Sequence, residues 1–248
     1  MIVVDIGNSN IHLGIYEDKK ISRCEAFCHR DISIDDLIKE VNLWIEQAET
    51  EKKLAVACVY DPMLEYFGKF FREIPVFQID SAVNVGVKIF YEPKSSLGVD
   101  RFANLVAFRQ RYETAGIIVD IGSALTIDLI DKNGSFKGGI IFPGPALSSM
   151  ALAQGTDRLP KTVTSKIEKK WGNSTEESIL CGVYSAYKVL VDGLIDEAKK
   201  DLSNDLTVIV TGGWSNLWKQ DWAEGKIYDK NLTLKGVGDI YRLQAMSS

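Results

Sequence analysis

Two stretches of this chain place a lone carboxylate at the end of an apolar run and follow it with glycine and small polar residues. The first is Val4-Asp5-Ile6-Gly7-Asn8-Ser9-Asn10, and the second is Val119-Asp120-Ile121-Gly122-Ser123-Ala124. A buried strand ending this way delivers one carboxylate to a tight turn. Glycine there permits positive φ or a close approach of ligand to backbone, and successive N–H groups of such a turn cradle an anion. An aspartate repels a phosphate but holds the cation that a phosphate carries. Either copy alone reads as a hairpin with an Asx-type turn; two copies, each with its aspartate, point to phosphate chemistry. A third stretch, Gly98-Val99-Asp100-Arg101, sets an acid and a cation side by side where a loop enters a helix. Arginine is disfavoured at the positive end of a helix dipole, so a structural salt bridge and a functional pair both remain open for it.

The elements that must position these residues follow from the pattern around them. The whole of 2–16 recurs at 117–131, 115 positions on and close to half of the 248 residues. A recurrence of that length indicates domain duplication rather than a short solenoid repeat. It divides the chain at 1–115 and 116–248, with a nucleotide cleft expected between two related domains. In the first half a third strand is predicted at 21–27. Ser33 and Asp36 stand in capping-box spacing before an amphipathic helix to Gln47, and strands follow at 54–59, 76–79 and 85–90. Asp61-Pro62 opens a further helix with Met63, Leu64, Phe67, Phe70 and Phe71 inward, and another helix is predicted over 99–112. In the second half the hairpin continues through Lys132-Asn133-Gly134 into 136–144, then a helix over 146–153 that Gly155 ends. Ser174 and Glu177 repeat the capping-box spacing before a long helix to Leu202. That helix carries Gly182, Ser185, Ala186 and Gly193, so a close-packed neighbour is expected, a partner subunit being one candidate. A strand over 206–210 ends in Thr211-Gly212-Gly213, a further candidate nucleotide contact, and Leu232-Thr233-Leu234 and a terminal helix from Gly238 close the second domain. Strands alternating with helices indicate an α/β layer architecture.

Composition narrows the function classes. Hydrophobic residues are 46% of the chain and charged ones 25%, an ordinary globular balance. A net charge of −5, with no dense basic tract beyond 161–170, argues against nucleic acid as a partner. No charged leader precedes the first strand and no apolar run nears the ~20 residues of a membrane span, so a cytoplasmic protein with no membrane partner is expected. Cys24, Cys28, Cys58 and Cys181 read as buried free thiols. Cys24, Cys28 and His29 make half of a zinc pattern that no second pair completes.

Four motifs then occur in order: Asp5-Ile6-Gly7-Asn8-Ser9, Gly98-Val99-Asp100-Arg101, Asp120-Ile121-Gly122-Ser123-Ala124-Leu125-Thr126 and Gly138-Gly139-Ile140-Ile141-Phe142-Pro143-Gly144. Singly each is weak, but as an ordered set over the whole chain they resemble the type III pantothenate kinase family. That family lies within the actin-like ATPase superfamily, whose two duplicated ribonuclease-H-like domains suit the repeat. The resemblance implies ATP-dependent phosphorylation of pantothenate to 4'-phosphopantothenate, the first step of coenzyme A biosynthesis. Residue by residue it implies an ATP-phosphate loop of Asp5, Ile6, Gly7, Asn8, Ser9, Asn10, Ile11 and His12, with Asp5 near Mg2+. Asp100 matches the proton acceptor for the substrate hydroxyl, and Tyr91, Gly98, Val99 and Arg101 match pantothenate contacts. Asp120 matches the ligand of a monovalent cation, K+ or NH4+, and Ser123 an ATP contact. Thr175 matches a residue that reaches pantothenate, in relatives across a homodimer interface, so a homodimer with the active site near that interface is implied.

Ser9 and Ser123 stand where the family usually has threonine. Both keep the hydroxyl and lose a methyl, so altered affinity rather than lost activity is expected. By its residues alone, His12 is expected to be a packed or surface imidazole. Trp214, Trp218 and Trp222, four apart, are expected to form a core-facing helix face. Two other readings remain: a kinase of the same superfamily acting on another small molecule such as a sugar, and a non-catalytic accessory protein of the family.

Overall fold

Each copy of the aspartate-glycine stretch becomes the central strand of its own five-stranded sheet. In the computed structural model, which describes residues 1–47, 52–59, 67, 69–71, 74–222 and 224–246, contacts divide the chain into two units. One is Met1–Tyr112 with Asn231–Ser248, and the other is Glu113–Lys230.

The first sheet has the order β3-β2-β1-β4-β5, from β1 (Ile2–Ile6), β2 (Asn10–Glu17), β3 (Lys20–Cys28), β4 (Leu54–Cys58) and β5 (Val76–Gln78). β1 runs antiparallel to β2 and parallel to β4. A strand so flanked is buried on both faces and reads as a continuous apolar run, and all five residues of β1 are buried. Helix α1 (Ile34–Gln47) covers one face through Leu37, Ile38, Val41, Trp44 and Ile45. Its predicted cap is present: Ser33 Oγ accepts the Asp36 N–H at 3.1 Å and donates to the Asp36 carboxylate at 2.7 Å. Helices α2 (Val99–Arg109) and α5 (Leu232–Ala245) pack on each other and on β1 and β4.

The second sheet repeats that topology as β8-β7-β6-β9-β10, from β6 (Gly116–Ile121), β7 (Ala124–Ile130), β8 (Phe136–Pro143), β9 (Thr207–Thr211) and β10 (Ile227–Tyr228). Helix α3 (Pro145–Gly155) follows β8, and the long helix α4 (Thr175–Asp201) supplies Val183, Tyr187, Val191 and Ile195 to the core over β6 and β9. The Ser174 cap of α4 accepts the Glu177 N–H. By length and composition α4 is apolar enough to cross a membrane, a property hidden in the sequence because charges interrupt every run; its buried side is a core helix face.

Several expectations are corrected. The last helix starts at Leu232, not Gly238, and packs in the first unit instead of closing a domain over 116–248. The reason is steric and electrostatic. Gly236 lies so close to α2 that a Cβ would sit 1.9 Å from the Ala103 carbonyl oxygen, and Gly238 lies against the Tyr16 ring. Asp239, 2% exposed, accepts the Tyr16 hydroxyl and the Arg111 guanidinium, each at 2.5 Å. The predicted strand over 85–90 is an irregular segment with a single bridge at Ile89. Gly86 takes φ +80° there, and its N–H is bound by the Asn84 side chain. Helix α2 stops at Arg109 instead of Tyr112. The tryptophan series forms a short 3-10 turn, Ser215–Trp218, rather than a longer helix, although Trp218 and Trp222 stack in the core as expected. The helix opened by Asp61-Pro62 lies outside the described residues but for its end, where Phe67 and Phe71 are buried and Phe70 is exposed. All four cysteines are free; Cys181 is buried and the other three are half-buried.

Candidate active site

Within the first unit, β1 carries Asp5 to its C-terminal end, in register with His12 on β2 and Ala57 on β4. Asp5 is 8% exposed. One of its carboxylate oxygens lies 3.4 Å from His12 Nδ1, and the other, Oδ1, is buried with no hydrogen-bond partner among the described residues. His12, packed or exposed by expectation, is thus half-exposed beside the Asp5 carboxylate. The turn itself is closed by the Gly7 N–H on the Asn10 carbonyl at 3.0 Å, with the side chains of Asn8, Ser9 and Asn10 exposed. His29, just past β3, touches this turn twice: its main-chain N–H donates to Ser9 O at 3.0 Å, and its ring Nε2 lies 2.8 Å from Gly7 O. Nothing local in the sequence marks His29 for this place. Strand pairing across 22 residues brings it there.

Asp100 and Arg101 occupy the first turn of α2, behind an N-cap at Gly98. Asp100 Oδ1 accepts the Arg101 N–H at 2.8 Å. Burial pushes the Asp100 carboxyl up from its ordinary value, and the nearby Asp5 charge pushes it the same way. The main-chain N–H groups of Arg101 and Asp100 and the Arg101 cation oppose this. Asp5 and Asp100, 95 residues apart, are therefore electrostatic neighbours. Gly98 makes room for the arrangement, since a Cβ there would lie 2.5 Å from Asp100 Oδ1. Arg101 is only 5% exposed, with its guanidinium 5.5 Å from the centre of the Tyr91 ring, within cation–π range. The fold thus joins Tyr91 to the Gly98–Arg101 segment.

In the second unit Asp120 ends β6, in register with Thr126 and Thr211. Gly212, at φ +90°, passes so close that a Cβ would be 2.5 Å from both Asp120 Oδ1 and Ile121 O. The second turn is one residue shorter than the first: Gly122 N–H reaches Ala124 O, and Ile121 pairs with Leu125 where Ile6 pairs with Ile11. The repeat therefore slips by one residue after its glycine, which keeps Leu125 and Ile127 buried like Ile11 and Leu13. Ser123 is exposed, and its carbonyl accepts the Gly144 N–H at 2.9 Å. Gly144 is the N-cap of α3; a Cβ on it would meet the main-chain oxygens of Gly122 and Ser123 at 2.3 and 2.4 Å. Thr175 is exposed at the first position of α4.

The site residues suit a cation carried by a nucleotide. An unpartnered buried carboxylate oxygen on Asp5 is what a hard divalent ion takes up, and Mg2+ needs only one or two carboxylates when phosphates and water complete its shell. Asp120 Oδ1 and Ile121 O beside Gly212 are oxygen donors of the kind a monovalent cation accepts.

Duplicated ribonuclease-H-like sheets, each ending its first strand in an aspartate-glycine turn, define an actin-like ATPase fold, and solved structures agree. The chain matches a conserved Campylobacter jejuni protein assigned to the Baf family of transcriptional activators (TM-score 0.65, 22% identity, covering 99% of this chain and 100% of that one). It also matches the activator of 2-hydroxyisocaproyl-CoA dehydratase from Clostridium difficile, solved with bound ADPNP (TM-score 0.56, 13% identity, covering 100% and 97%). The model of the type III pantothenate kinase family matches residues 1–197. The type III pantothenate kinase of Citrifermentans bemidjiense is 29% identical over 250 residues, covering 98% of both chains. The chain belongs to the type III pantothenate kinase family.

Proposed function

We propose that this chain phosphorylates pantothenate with ATP, yielding 4'-phosphopantothenate for coenzyme A synthesis, and that Asp100 is its catalytic base. The observation that carries the assignment is that Asp100, half-buried in the first turn of α2, feels the charge of Asp5 at the turn that suits ATP phosphates.

Phosphoryl transfer asks for in-line positioning and charge neutralisation more than for covalent chemistry. The turn from Asp5 to His12 receives the ATP phosphates, with Ser123 as a further ATP contact. Asp5 Oδ1 holds Mg2+, which neutralises phosphate charge when bound. Asp100 accepts the proton of the primary hydroxyl as that oxygen bonds to the γ-phosphorus and the bond to ADP breaks. Burial suits Asp100 to the task, since a raised proton affinity makes a carboxylate a stronger base. Arg101, supported by Tyr91, binds an anionic group, either the substrate carboxylate or the transferring phosphoryl, and Gly98 and Val99 complete that segment. Asp120 binds K+ or NH4+. A homodimer, to whose shared site Thr175 contributes, is supported by exposed apolar side chains of the second unit: Ile141 on the edge strand β8, Leu147 on α3 and Val189 on α4. Among the described residues nothing packs on Gly182 and Gly193 of α4, which suits that helix face to a partner. A cytoplasmic location accords with a metabolic kinase.

The test is incubation with ATP, Mg2+ and pantothenate, with and without K+ or NH4+, and detection of phosphopantothenate by mass. Asp100→Asn keeps the shape and removes the base, so kcat should fall by about 10²–10⁴. Near-normal turnover by that variant would remove Asp100 from the role. Absence of product from folded protein that binds ATP would favour a different substrate or an accessory role.

A further inference from the structure

We infer that His29 is a positioning residue of the phosphate turn, fixing it for nucleotide binding through a two-point clamp; this rests on the reading of the first turn as the ATP-phosphate site. The turn's side chains Asn8, Ser9 and Asn10 are exposed, and the hairpin's own closure is the Gly7 N–H to Asn10 O bond. His29 binds the two carbonyls on either side of Asn8. Its main-chain N–H takes Ser9 O at 3.0 Å, and its ring takes Gly7 O at 2.8 Å. A carbonyl only accepts, so the ring nitrogen facing Gly7 carries a hydrogen.

The consequence follows from peptide geometry. In a planar trans peptide the C=O of one residue and the N–H of the next point in opposite directions. Holding Gly7 O against the His29 ring therefore aims the Asn8 N–H away from His29, and holding Ser9 O does the same for the Asn10 N–H. Turn N–H groups pre-aligned on one side are what makes an anion-binding concavity. Without the ring, Gly7, which carries no side chain to restrict it, is free to rotate its peptide, and nucleotide binding must then bear the cost of ordering the turn. Both bonds of the clamp fall on the turn assigned to the ATP phosphates.

Two substitutions separate the hydrogen bond from the bulk of the ring. His29→Phe keeps the ring and removes the donor, whereas His29→Gln removes the ring and keeps an N–H₂ able to reach Gly7 O. Calorimetric titration with MgADP, thermal melting and steady-state kinetics are measured on the full-length wild type and both variants. For loss of one hydrogen bond the expected result in His29→Phe is an increase of about three- to tenfold in the Kd for MgADP and the KM for ATP. The KM for pantothenate stays unchanged, and His29→Gln recovers most of the loss at an unaltered melting temperature. Wild-type affinity for MgADP in a folded His29→Phe would overturn the clamp. So would an equal rise in both KM values, a His29→Gln as impaired as His29→Phe, or a wild type that does not bind MgADP. A wild type that binds MgADP but leaves pantothenate unphosphorylated overturns the proposed reaction instead, and the clamp is still decided by the MgADP affinities.

Discussion

Burial and the Asp5 charge raise the proton affinity of Asp100, and this has consequences that separate its proposed catalytic role from its structural one. A carboxylate raised by burial and by Asp5 binds its proton more tightly in the folded chain than in the unfolded one. The stability it contributes is therefore fully present below the ordinary carboxylate value near pH 4 and is lost as pH rises through the raised folded value. Asp100→Asn, whatever its kcat, should melt at or above the wild-type temperature at pH 7, with the difference closing towards pH 4. A scan of melting temperature against pH checks this, and a variant less stable at pH 7 would contradict it. Gly98 tests the geometry of the same group. A Cβ there would lie 2.5 Å from Asp100 Oδ1, the movable end of a side chain. Gly98→Ala should therefore fold yet displace the base, lowering kcat about tenfold or more, since misplacement of order 1 Å is costly. Kinetics together with a melt would show it.

At the level of elements, the site depends on helices far from it in the chain. Helix α2 presents Asp100, and α5 locks α2 in place through a buried pair. Arg111, just past α2, bridges Asp239 of α5 and the Lys19 carbonyl, while Tyr16 of β2 donates to the other Asp239 oxygen. Burial and the Asp239 carboxylate push the Tyr16 hydroxyl well above its usual range, so it remains a donor. Asp239→Ala removes the counter-ion of a largely buried guanidinium and the acceptor of the Tyr16 hydroxyl, which costs about 3–5 kcal/mol. Urea denaturation should report that loss, and activity should fall with it if α2 carries the base as proposed.

On the scale of the whole molecule, the second unit is inserted into the first. Residues 113–230 lie between the body of the first unit and its last helix. Truncation after Lys230 should therefore unfold the first unit, which loses the cover over β1 and the partner of Tyr16 and Arg111. The segment 113–230 has its own sheet and core and should fold alone. Circular dichroism and thermal melts of the two fragments test this division: a cooperative melt from 1–230 equal to that of the full chain would refute it.

Much of this was legible without coordinates, for local reasons. Asp5 and Asp120 announced themselves because a continuous apolar run ending in Asp-X-Gly encodes a buried central strand and its turn within one stretch of chain. Ser33, Ser174 and the covering helices were readable because a cap and a 3.6-residue period are also local. Resemblance of four ordered motifs added the family and its reaction, and the roles proposed for Asp100 and Asp120, which no spacing supplies. The tertiary structure decided what local rules do not contain. It set the one-residue slip between the two turns, imposed by burial of Leu125 and Ile127, and the return of α5 to the first unit, imposed by glycine-tight packing and a buried ion pair. It also brought His29 to the turn after β1 and Asp5 beside Asp100. Each of these depends on strands and helices meeting across tens of residues, and such contacts are chosen by the packing of the whole unit rather than by the neighbours of any one residue.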